Sequence, residues 1–232
     1  MLEQVPDYVP ITFILTTLLT ATLFIRAVYL SSFKTKTTLI SIGISLWLTV
    51  HGILSYNLYY LNTAGNTPPL FPLFTFLPFF ILTIVLFNTK KGQAFIDSLP
   101  LKALTLISIV RIPVELVLYW LFIYNTIPQL LTFEGHNFDI LAGITTPIVL
   151  YFGFRKGIIQ KKLLLTWNIV FLILLLNIII HALLSFPTVI QQFAIGQPNT
   201  GAFYFPFFWL PSFVAPAVLF THFVSIRQLL KT

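Results

Sequence analysis

Cysteine is absent from this chain of 232 residues. That excludes disulfides, thiolate metal sites and cysteine nucleophiles, and leaves the redox compartment open. Charge is nearly as scarce: Asp, Glu, Lys and Arg make up 8% of the residues, against about a quarter in an ordinary soluble domain. Hydrophobic residues reach 57% and the mean hydropathy is +0.94, so the solvent that suits this chain is lipid. Its net charge of +7 does not define a nucleic-acid surface, because the basic residues are spread over short connections instead of gathering on one face. No nucleic-acid partner is expected; the bilayer itself is.

Roughly 20 apolar residues cross a bilayer. The sequence divides into seven such stretches, at about 10–29, 38–60, 70–88, 101–126, 138–154, 163–185 and 206–226. The expected fold is therefore all-α, a single domain over 1–232 made of seven transmembrane helices. The opening MLEQVPDYVP lacks the basic n-region of a signal peptide, so the first apolar run is expected to stay as a span. Every second connection carries the basic residues: Arg26, Lys34, Lys36, Lys90, Lys91, Lys102, Arg155, Lys156, Lys161, Lys162, Arg227 and Lys231. Basic residues in short loops mark the cytoplasmic side, which places the N-terminus outside and the C-terminus inside, in a plasma or inner membrane. Between the third and fourth spans, NTKKGQAFIDSLP reads as a cytoplasmic loop, with Ser98 as N-cap and Pro100 in the first turn of the fourth span. Tyr56, Tyr59 and Tyr60 read as an aromatic belt at the outer interface. The third span opens with Pro68, Pro69 and Pro72, and the seventh, broken by Pro211 and Pro216, is expected to be kinked or locally unwound.

Ionisable side chains inside these runs are few. Arg111 and Glu115 lie four apart on one face of the fourth span, with Pro113 between them and Tyr119 continuing the face. A charged residue at mid-membrane costs about 2.5–3.5 kcal/mol by insertion scales, so it must face protein, water or a partner. Arg before Glu is the weaker order for a pair within one helix, so partners on other helices are expected. His51 on the second span and Asn177 on the sixth fall at a similar depth, with His181 one turn further out. Asp139 lies near the outer edge, below the loop FEGHNFD that carries Glu134 and His136. If these helices converge, Arg111, Glu115, Tyr119, His51, Asn177, His181 and Asp139 line a polar pocket opening outward. His222, read as lying near the inner end of the seventh span, is left outside it. Thr12, Thr16 and Thr20, at spacing four on the first span, read as a helix-packing face.

Other absences narrow the chemistry. No two histidines or carboxylates have a zinc-protease spacing, so no metal site is assigned; the set that would supply one is His51, His181 and Asp139, with Glu115 as general base. Seven spans with the N-terminus outside is a topology shared with retinal photoreceptors, but every lysine lies at a span end or in a loop, and a retinal Schiff base needs one within the membrane. Alkaline ceramidase-like hydrolases share the span count; their HxxxH pattern is missing, since His222 is followed by FVSIR. No internal repeat of the transporter kind is visible. The expectation is a non-enzymatic membrane protein that binds or passes a small ligand, lipid or ion. A metal-dependent intramembrane hydrolase and a structural or sensory subunit are the alternatives.

Overall fold

A computed structural model describes residues 2–66, 70–157 and 159–231; Pro68 and Pro69 lie outside the described residues. Among these residues every regular element is helical. The long helices are α1 (Tyr8–Tyr29), α2 (Thr37–Tyr56), α3 (Leu70–Asn88), α4 (Leu101–Ile123), α5 (Ile140–Arg155), α6 (Lys161–Ser185) and α7 (Leu210–Lys231). Six of them are long and apolar enough to cross a membrane; α5 is apolar but shorter.

Burial departs from that of a protein folded in water: the core is largely apolar, but many large apolar side chains are exposed and a few charged ones are buried. Leu39 and Ile84 are 65% and 60% exposed, while Arg111 and Glu115 are each 2% exposed. Exposed apolar side chains around a few buried charged ones are the arrangement a bilayer favours, because in lipid it is the polar groups that gain from burial against protein. The bundle, with its six long apolar helices, is compatible with a multi-pass membrane protein. The basic residues named above lie at or between the C-terminal ends of α1, α3, α5 and α7 and the N-terminal ends of α2, α4 and α6, the basic end of the helices.

Several local readings change. The segment after α3 is not a simple loop. Lys90–Ser98 forms a nine-residue helix, and Thr89 caps it by accepting from the Gly92 N–H at 3.1 Å. Ser98 closes that helix, its hydroxyl donating to the Phe95 carbonyl, and the residue capping α4 is Pro100. Tyr60 does not sit in an interfacial belt: it is fully buried, its hydroxyl 2.6 Å from His51 Nδ1 and its ring stacked 3.7 Å from Phe208. The turn that folds it back passes through Leu58, which takes a left-handed conformation (φ 57°) uncommon for a branched residue. Thr16 and Thr20 are buried and donate to carbonyls four residues back in α1.

The break in α7 has a specific accommodation. Its first turn, Leu210–Val214, is a π-helix. Pro216 has no N–H for the Ser212 carbonyl four residues earlier, and the Trp47 indole N–H of α2 donates to that carbonyl at 2.8 Å. Trp209 returns the contact, donating to the Leu48 carbonyl at 2.8 Å.

The connection from α4 to α5 dips into the bundle. Thr126 ties its start to Leu121, and the Gly201 N–H donates to the Thr126 carbonyl at 2.8 Å, binding this connection to the one before α7. Gly135 permits the tight turn, since a side chain there would place Cβ 2.7 Å from Leu130 Cα. Irregular backbone at such depth is tolerated where protein covers it, and Leu131, Thr132 and Asn137 are all buried. Gly143 then lets α5 close on α4, its missing Cβ falling 2.6 Å from Ile112 Cγ1 and 3.5 Å from Arg111 Cβ.

Candidate functional site

Arg111 organises the interior. One terminal nitrogen donates to Asp139 Oδ1 at 2.8 Å, and the other lies 2.7 Å from His222 Nε2. A guanidinium only donates, so His222 accepts at Nε2 and donates from Nδ1 to Asn168 Oδ1 at 3.0 Å. Asn168 in turn donates to the Leu164 carbonyl at 2.9 Å. On the other side, the Asp139 N–H donates to Asn137 Oδ1 at 3.1 Å, and Asn137 Nδ2 donates to Glu115 Oε1 at 2.5 Å and to the Leu131 carbonyl at 3.1 Å. The result is a hydrogen-bonded network of two arms leaving Arg111, joining α4, α6, α7 and the α4–α5 connection up to the N-cap of α5, every member side chain buried.

The sequence-derived residues divide. Arg111, Glu115 and Asp139 come together, and they do so with Asp139 as the ion-pair partner of Arg111 and Asn137 as the partner of Glu115. His51 belongs to a separate aromatic cluster with Trp47, Tyr60 and Phe208. His181 donates from Nδ1 to the Asn177 carbonyl at 2.8 Å and packs edge-on against His136, while Asn177 donates to the His136 carbonyl at 3.2 Å. Tyr119 is half-buried with its ring 4.8 Å from Phe133. Among the described residues no group of three His, Asp or Glu side chains is placed to hold a metal; His51, His181 and Asp139 stand in three different clusters.

His222 enters the cluster because α7 continues past residue 226 to Lys231. At ~1.5 Å per residue this puts His222 ~13 Å from the end of α7, level with Arg111 at ~15 Å from the start of α4. Asn137, Asn168 and Asn199 carry no charge, and nothing in the spacing of Asn168 or Asn199 singles them out. The visible signal was Asn137 two residues before Asp139, a spacing at which an Asn side chain accepts from the backbone two residues on.

Beside this network lies a cavity of about 90 Å³. Its polar lining is Arg111, Glu115, Asn137, Asp139 and Asn199; the rest is apolar, including Val114 and Leu118 of α4, Ile178 and Ala182 of α6, and Val214 and Val218 of α7. Three buried polar atoms on its lining residues have no protein partner: Arg111 Nε, Glu115 Oε2 and Asn199 Oδ1. No family model matches the chain, and no curated protein or solved structure matches it significantly.

Proposed function

We propose that the chain crosses the membrane seven times, N-terminus outside, and binds a small amphipathic ligand in this cavity without acting as an enzyme. The seventh crossing is α5 together with the dipping α4–α5 connection, which supplies the depth the short helix lacks. Cysteine scanning tests the topology directly, because the chain has no cysteine of its own. Cysteines at the exposed positions Asn66 and Gly196 are expected to react with an impermeant thiol reagent on intact cells, and cysteines at Lys91 and Lys161 only after permeabilisation. The reverse pattern would overturn the orientation.

The observation that carries the ligand reading is the polar end of the cavity. Arg111 is committed to Asp139 and His222 on one side, yet Arg111 Nε and Glu115 Oε2 are unpartnered beside an otherwise apolar space. A buried polar group left unpaired costs about 1–3 kcal/mol. One arginine also faces two carboxylates, so a proton or a ligand must balance the second. A molecule with an apolar body and a hydrogen-bonding head meets both needs.

Glu115→Gln tests this. Gln keeps the shape and still accepts from Asn137, so the fold is expected to persist while affinity falls at least tenfold, ~1.4 kcal/mol. The measurement is mass spectrometry of small molecules released from purified wild-type and variant protein on denaturation. Release of nothing from either protein, or of the same amount from both, would reject the ligand reading and leave the network as scaffolding.

A further inference from the structure

A second, open groove of about 620 Å³ lies among α3, α6 and α7 and shares no lining residue with the cavity beside Arg111. It is lined by Thr83 of α3, Leu172 of α6 and Phe223 and Ile226 of α7, and it ends at Arg227 and Lys231. Leu172 lies ~16 Å along α6 from the basic end, so the groove reaches to about half of the ~30 Å hydrocarbon thickness. That is the depth of one leaflet.

Two features distinguish it from ordinary lipid-facing surface. The Thr83 hydroxyl is buried without a hydrogen-bond partner, unlike Thr75 of the same helix, which donates to the carbonyl four residues back. At the basic end, Asp97 accepts from Arg227 Nε at 3.0 Å and from Lys231 Nζ at 2.5 Å. Two cations against one carboxylate leave a net positive charge, held in place by the shared anion. Partial burial pushes the Asp97 carboxyl up, but the hydrogen bonds from Lys231 and Arg227 outweigh it and hold it below its ordinary value, so the carboxylate is ionised at neutral pH.

We propose that this groove binds one anionic glycerophospholipid from the leaflet at the basic end. Its phosphate sits at Arg227 and Lys231, an ester carbonyl accepts from Thr83, and an acyl chain lies along Phe223, Ile226 and Leu172. A zwitterionic lipid would bring its own cation beside the two basic side chains and is disfavoured there.

The test is native mass spectrometry of the full chain released from nanodiscs containing phosphatidylglycerol and phosphatidylcholine with identical acyl chains. Wild-type protein is expected to retain one phosphatidylglycerol with at least tenfold preference. Leu172→Trp, which fills the groove and leaves every charge in place, is expected to lose the retained lipid while melting normally in pure phosphatidylcholine; if it does not fold, Ile226→Trp blocks the groove from α7. Arg227→Gln with Lys231→Gln is expected to bring the preference close to one. Equal retention of both lipids by wild type would overturn the proposal. So would a preference that survives the groove-filling variant, which would mean headgroup attraction to the basic surface alone.

Discussion

Arg111→Gln is expected to destabilise the bundle by about 3–5 kcal/mol, and adding Asp139→Asn to recover most of that loss. The single change leaves the Asp139 carboxylate buried without its cation and His222 Nε2 without a charged donor. The double change replaces a buried ion pair by two amides that can hydrogen-bond to each other, and removing both members of such a pair is often nearly neutral. Glu115→Gln is expected to rescue Arg111→Gln far less well, because Glu115 bonds to Asn137 and makes no ion pair with Arg111. Thermal unfolding of the single and double variants in lipid nanodiscs measures this. Better rescue by Glu115→Gln than by Asp139→Asn would mean that the pair within α4 is the important one.

The contrast between these two partners shows how far the sequence could be read. Hydropathy and basic residues marked out six of the long helices, and the prolines of α7 announced its break, because each is a local property of a short stretch. Arg111 and Glu115 stood out for the same reason: charge in an apolar run is costly wherever it points. What spacing could not supply was the rotation of each helix. His51 and Asn177 share the depth of Glu115, with His181 one turn further out, yet His51 turns toward Tyr60 and Phe208. His181 and Asn177 turn toward the loop residue His136. His222 reads as near a span end because the apolar run stops at about residue 226, whereas the helix continues to Lys231; a few residues at ~1.5 Å each move a side chain from headgroup level to the interior. The α4–α5 connection was hidden more thoroughly. A segment as polar as FEGHNFD looks extramembranous by composition, and only its buried hydrogen bonds reveal that Asn137 and Asp139 point into the bundle.

That connection is therefore the place where a single neutral residue should matter most. Asn137 is 1% exposed and its side chain makes three hydrogen bonds: to Glu115 Oε1, to the Leu131 carbonyl, and from the Asp139 N–H. Asn137→Ala removes all three. It strands both oxygens of Glu115, one of which already lacks a partner, together with a backbone carbonyl and a backbone N–H in a water-poor interior. With bonds to charged groups contributing about 1.5–3 kcal/mol and neutral ones about 0.5–1.5 kcal/mol, the expected loss is on the order of 3–5 kcal/mol. The effect should be local before it is global. In hydrogen-exchange mass spectrometry of the nanodisc-embedded protein, peptides covering residues 131–139 are expected to exchange markedly faster in the variant. Peptides from α1 and α2, which make none of these bonds, are expected to exchange at the wild-type rate. Arg111 would then hold Asp139 alone against a loosened loop, and the cavity beside Glu115 would open toward the side of the membrane opposite the basic end. Unchanged protection of 131–139 in Asn137→Ala would show that the Arg111–Asp139 pair suffices to anchor the connection, and that Asn137 serves only to orient Glu115.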